Sequence, residues 1–221
     1  MNPPIFTPSD DAEGNRHYHA GSLSFPAVGT ILRATAGSRW GLEQWKADLG
    51  EELAEQIRDE SAERGKQLEA DIDGNLFRGF IPSPSVWWNS VQDYVYALKT
   101  DADELTRQVV VVHDLDRYAG TLDLRFRRRS TGRKLIVDWK SKSGRDKKTG
   151  AVKVPTRSKI YDHLCQVAAY CDAEAWMTGE RPDGEVVIAL PDRPALVFPV
   201  LDADYARWRD RVAQYYLRKQ P

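Results

Sequence analysis

The sequence predicts a single α/β domain, a small mixed β-sheet flanked on both faces by helices. Three observations predict it. The chain has 221 residues, enough to bury a full core without disulfide help. Its apolar spacing runs at three to four residues, switches to two in the middle of the chain, returns to helical spacing, and then repeats the exchange once. Hydrophobic residues make up 41% and charged residues 29%, mean hydropathy is −0.57, and no apolar run approaches the roughly 20 residues that cross a bilayer. The first six residues lack the basic flank and apolar run of a secretory signal, so a cytoplasmic location is expected.

Residues 1–22 are rich in Asp, Asn, Pro and Gly without periodicity and are expected to form an arm ahead of a single domain at 23–221. Phe25, Val28, Ile31 and Leu32 suit a short helix starting near Pro26, and 41–48 suggests another that ends before Gly50. Over 51–73, Leu53, Ile57, Leu68 and Ile72 recur at helical steps and give a long amphipathic helix. Gly65 inside it costs about 1 kcal/mol relative to Ala, which suggests close approach of a neighbour. A Gly/Pro/Trp-rich loop covers 73–88, and a helix over 91–99 turns Tyr94 and Leu98 inward. Four consecutive valines, 109–112, read as a buried strand. Residues 118–127 alternate Leu122, Leu124 and Phe126 on one face with Asp123, Arg125 and Arg127 on the other. Ser130, Thr131 and Gly132 supply turn chemistry, and 134–140 is the returning strand of an antiparallel hairpin. Ser158 is an expected N-cap for a helix that buries Leu164, Val167, Ala168 and Cys171 and ends at Gly179. A second hairpin, 185–190 with 195–201, precedes an Asp202-capped helix with Tyr205, Trp208, Val212 and Tyr215 inward.

Cys165 and Cys171 fall within one helix, which excludes a disulfide framework or a thiolate metal cluster. Net charge is −1, but residues 125–159 hold 14 Lys or Arg against Asp138 and Asp146, a local balance of +12, leaving −13 elsewhere. Charge runs are ordinarily solvated loops; one beside a site that handles phosphodiesters would track a polyanion.

The chemistry concentrates in the central hairpin. In a strand, Asp138 and Lys140 point to one face, and the hairpin brings Asp123 alongside them. Two such carboxylates can share a divalent ion, and the lysine can orient water or steady developing phosphoryl charge. An exposed salt bridge would explain a random trio, but Asp138 ends the apolar run Leu135, Ile136, Val137, where a charge is costly unless paired or coordinated.

In chain order, Gly120-Thr121-Leu122-Asp123, Asp138-Trp139-Lys140 and Gln166 with Tyr170 four residues later resemble the PD-(D/E)XK nuclease superfamily, specifically its RecB-like exonuclease branch. The segments 25–32 and 63–69 are similar to the mitochondrial genome maintenance exonuclease group and related phage exonucleases, and the resemblance spans about residues 23–175. It implies a restriction-endonuclease-like core and a Mg²⁺- or Mn²⁺-dependent DNA exonuclease acting on single-stranded ends in replication, recombination or repair. Asp123 and Asp138 match its metal-binding acids, Lys140 its catalytic lysine, and Gln166 and Tyr170 its substrate-placing pair. Many members carry histidine where this chain has Glu69, so the resemblance implies a carboxylate as a further metal ligand. Substrate contacts are expected from Arg125, Lys142, Arg145, Lys147 and Lys148, from stacking by Trp87 and Trp88 on unpaired bases, and from Arg33, Arg39 and Lys46. The alternatives are an endonuclease of the same superfamily and a catalytically inactive nucleic-acid-binding module.

Overall fold

The computed structural model describes residues 5–37, 47–80, 83–142, 153–191 and 193–219. Its centre is a five-stranded sheet in spatial order β4-β5-β6-β7-β8: β4 (Ala102–His113), β5 (Tyr118–Arg128), β6 (Lys134–Ser141), β7 (Asp183–Leu190) and β8 (Arg193–Pro199). The first three strands and the last pair are antiparallel, and β6 runs parallel to β7. That one parallel pair requires a crossover connection, supplied by helix α4 (Tyr161–Thr178). The mixed sheet with helices on both faces is the architecture the sequence predicts.

Alternation along the strands feeds two cores. On one face, Ile136, Val186 and Ile188 pack with α1 (Val28–Thr35), α4 and α5 (Asp202–Leu217) through Ile31, Leu164, Cys165, Cys171 and Trp208. On the other, Leu135, Val137 and Val187 meet α2 (Glu51–Asp73) and α3 (Trp88–Asp101) through Leu68, Ile72, Val91 and Val95. Helix α4 is buried nearly all round, which is why both thiols lie in one cluster as small apolar side chains, free and buried. It ends as expected at Gly179, which adopts φ 77°. Among the described residues, no helix is long and apolar enough to cross a membrane.

Several expectations are corrected. Residues 7–26, of which those up to 22 are expected to form an arm without periodicity, form an antiparallel sheet of β1 (Thr7–Asp10), β2 (Arg16–Ala20) and β3 (Leu23–Pro26). Its strands are largely solvated, and only Tyr18, Phe25 and Pro26 are buried, so no alternation marks them. The β1–β2 turn is closed by the Asp11 carboxylate, which accepts the N–H groups of Glu13 and Asn15. The helix expected at 41–48 lies largely outside the described residues, of which 47–49 are helical. The loop expected after Asp73 begins with a π-helical turn, Gly74–Arg78. The valines at 109–112 belong to an edge strand, and of them only Val111 is buried. Ser158 sits in a 3₁₀ turn, Arg157–Lys159, and Ile160 occupies the N-cap of α4. At α5 the cap carboxylate is Asp204, accepting the Leu201 N–H at 2.9 Å, rather than Asp202.

Much of the described part of the basic segment is paired with acids. Arg127 meets Glu104 and Glu180, Arg128 meets Glu185, Arg129 meets Asp103, Arg133 meets Asp183, and Lys134 meets Glu174 and Glu180. The segregation seen along the chain is a complementarity in space.

Gly65 is corrected too: a Cβ there meets nothing within 4 Å. Gly65→Ala is therefore expected to stabilise the protein by about 1 kcal/mol. At Gly184 a Cβ would lie 2.8 Å from Val167 Cγ1 and 2.9 Å from Val200 Cγ2. Gly184→Ala is expected to cost about 1–3 kcal/mol through overpacking, and urea denaturation of the two variants measures both signs.

Candidate functional site

The site forms where the central hairpin comes apart. The β5–β6 ladder ends at Leu124 and Val137, while β6 continues against β7 to Ser141. The Trp139 N–H donates instead to Asp123 Oδ2 at 3.2 Å, so a side-chain carboxylate takes the place of a ladder carbonyl. At the same level β4 and β5 both turn over. On β4, Leu105 packs with the α2/α3 core and Val109 and Val111 with the α4 core; on β5, Leu122 joins the α4 core, and Leu124 and Phe126 the other. Between the pairs Arg107–Leu124 and Val109–Leu122 stands Gln108, whose φ is 51°. The sequence reading that put Leu122, Leu124 and Phe126 on one face is thus corrected, because strand alternation assumes an unbroken pleat.

Ile136, Asp138 and Lys140 share a face of β6 by period two. Asp138 is fully buried, with Lys140 Nζ 2.6 Å from Oδ2, and neither oxygen accepts a hydrogen bond of regular geometry. Burial pushes its carboxyl well above the usual carboxylate range; Lys140 pulls it back and the Asp123 charge pushes it up again. Burial is the largest single influence on Lys140 and opposes its charge, but Asp138, Asp123 and Glu69 together outweigh it and its pKa is raised. Glu69 is raised by burial first, then by Asp123 and Asp73, and the Gln108 amide, donating to Oε1 at 2.6 Å, acts in the opposite sense. The cluster carries excess negative charge in a poorly solvated place and is suited to a cation. Among the described residues, no three Asp, Glu, His or Cys side chains converge as a ready-made ligand set.

Two clefts meet at Asp123 and Glu69. The larger, about 630 Å³, lies between the N-terminal sheet, the start of α1 and α4, and is lined by Arg16, Tyr18, Arg33, Gln166 and Tyr170 among others. The smaller, about 340 Å³, runs under α2 past Ser61, Gly65 and Lys66 to Lys140. Gln166 Nε2 donates to Tyr170 Oη at 2.8 Å, and the Tyr170 ring lies over Gly120, where a Cβ would come within 2.4 Å of Cε1. That contact accounts for a glycine three residues before Asp123. Tyr18 Oη and Thr121 Oγ1 are 2.8 Å apart, tying the N-terminal sheet to β5.

The structure therefore brings together Asp123, Asp138, Lys140, Glu69, Gln166 and Tyr170. It does not bring Trp87 and Trp88, each 5% exposed and packed in the α2/α3 core; their expected role as stacking platforms is corrected, since burial leaves no face for a base. Arg125 is corrected likewise. Its guanidinium is held at 2.8 Å by both oxygens of the fully buried Glu174. Lys142 is half-buried near Lys140, and burial, then Lys140, lowers its pKa. Arg39, Lys46, Arg145, Lys147 and Lys148 lie outside the described residues. Sequence reasoning missed Gln108 and Tyr18, which nothing in the pattern marks; Thr121 lies inside the Gly120–Asp123 motif, where it was given no role of its own.

No family model matches the chain, and no curated protein matches it. Among solved structures it is similar to the protein SSO0001, with 15% identity over 88% of this chain and 76% of that one and a TM-score of 0.41. It is also similar to a candidate exonuclease from Eubacterium rectale, with 15% identity over 72% of this chain and 65% of that one and a TM-score of 0.44.

Gly120→Ala is expected to drive the Tyr170 ring off β5, costing about 1–3 kcal/mol in urea denaturation. A pH dependence follows from His163 at the start of α4, whose pKa burial, then Lys140 and Lys142, lower from 6.5 to about 3. The unfolded chain gains a proton at that residue below about pH 6.5 and the folded chain does not, so stability falls as pH drops through that window. Between pH 7.5 and 5, wild type should lose ~2 kcal/mol more than His163→Gln, read from denaturation midpoints at the two pH values.

Proposed function

We propose that the chain is a divalent-cation-dependent phosphodiesterase, an exonuclease of the PD-(D/E)XK kind that removes nucleotides from single-stranded DNA ends. The observation that carries this reading is Asp138, a fully buried carboxylate with no regular hydrogen bond, 2.6 Å from Lys140 and under the charge of Asp123, which itself stands where two clefts meet. A structural ion pair would be expected to complete its hydrogen bonds or face water. This one is left open beside a second carboxylate, which is the electrostatic demand that Mg²⁺ or Mn²⁺ meets.

Asp123 and Asp138 would hold the ion, which when bound supplies Lewis-acid polarisation of a phosphoryl oxygen and a water activated at neutral pH. Lys140 presents its ammonium to the charge that develops on the phosphoryl oxygens as water adds and the ester oxygen leaves. Gln166 and Tyr170, fixed to each other and to β5 through Gly120, line the larger cleft where they can hold the scissile phosphate in register. Arg33 lines the same cleft as a phosphate contact, and Arg16 lines it in an ion pair with Asp10.

An end-labelled single strand incubated with Mg²⁺ or Mn²⁺ tests the proposal. Wild type is expected to shorten the strand and to stop on addition of EDTA, and Asp138→Asn and Lys140→Ala are each expected to lose at least ~100-fold in rate. Equal loss of label by all three proteins, or none with either ion, sinks it. Cutting of a covalently closed circle would assign an endonuclease instead, and cation-independent binding of the strand without cleavage a binding module.

A further inference from the structure

Gln108 lies outside every motif in the sequence, yet it carries a backbone angle that no turn or register shift explains. Glu104, Gln108 and Arg117 are the non-glycine residues with positive φ among those described. Glu104 falls in the register shift between Asp103 and Thr106, and Arg117 in the connection from β4 to β5. Gln108 stands inside the ladder, level with Asp123. A left-handed angle is costly for a side-chain-bearing residue and persists where its surroundings over-determine it, most often at functional sites.

The side chain shows what the angle achieves. Gln108 reaches from an edge strand to helix α2 and donates Nε2 to Glu69 Oε1 at 2.6 Å. Gln108, Glu69 and Asp123 all line the larger cleft, and Glu69 and Asp123 also line the smaller. Glu69 does not join Asp123 and Asp138 as a direct trio of ligands. Mg²⁺ and similar hard cations keep several of their waters, and a carboxylate set back from the ion serves that hydration shell.

We propose that Gln108 is a positioning residue whose amide holds Glu69 toward the hydration shell of a cation bound by Asp123 and Asp138. The assignment rests on the cation-dependent reading above. It makes the kink in β4 part of the site: the same angle that turns the strand over also aims the amide at α2.

The test is calorimetric titration of the full chain with MnCl₂, paired with urea denaturation, for wild type, Gln108→Asn, Gln108→Gly, Glu69→Gln and the Gln108→Asn/Glu69→Gln double variant. Asparagine tolerates the left-handed angle but is too short to reach Glu69. Glycine relieves the angle and removes the amide altogether. Both are expected to weaken Mn²⁺ binding by about tenfold, while Gln108→Gly raises the urea midpoint, a combination that a purely structural role would not give. Glu69→Gln should lose a similar factor and the double variant no more than either single, because both changes remove one shared contribution. Wild-type affinity in both Gln108 variants overturns the assignment, as do independent losses that multiply in the double variant. If wild type itself binds no Mn²⁺, the cation reading fails and this assignment with it; wild-type binding with unaffected Gln108 variants removes the assignment alone.

Discussion

A carboxylate buried where a β-ladder stops is the constraint on which the rest of the structure turns. Asp138 follows three apolar residues on an interior strand, and at its level β5 no longer supplies backbone partners to β6. The gap is filled by side chains: Asp123 accepts the Trp139 N–H, and Lys140 sits against Asp138. Removing a charge from water this completely is expensive, and a lone ammonium offsets it only in part when two acids compete for it. The cost is carried by the large apolar cores on both faces of the sheet. They fix β6 between β5 and β7 and hold Asp138 out of bulk water.

The same reasoning separates structural from functional charge in the basic middle of the chain. Arg125 and Lys134 neutralise the buried Glu174, and Arg128 reaches Glu185, which also accepts from Tyr94 Oη. These cations knit β5 and β6 to α4 and β7, so they are occupied before any polyanion arrives. Among the described residues, the positive character left unpaired is narrower than the composition of residues 125–159 suggests.

Much of the fold was legible because it follows from periodicity. The long helix α2, the strands β5 to β8 and the helices α4 and α5 each announce themselves by spacing and end signals such as Gly179. The N-terminal sheet was not legible because its strands are mostly wet: an exposed polar strand has no face to alternate. The face change at Gln108 and Asp123 was invisible for a different reason, since a left-handed angle inside a strand leaves no mark on residue spacing. The convergence of Asp123, Asp138 and Lys140 could be read from two-residue spacing and a hairpin. The burial of Trp87 and Trp88 could not, because a Pro/Ser-rich flank says nothing about the helices that fold over it.

The bond between Tyr18 and Thr121 gives the first two dozen residues a standing that their composition conceals. Thr121 is two positions from Asp123, and β2 forms part of the wall of the larger cleft. Shortening the protein to its visibly periodic portion, a common step in preparing a compact fragment, would keep both hydrophobic layers yet open that chamber on one side. A fragment trimmed at residue 23 would melt like a folded domain while presenting a trench where the intact chain has a walled recess.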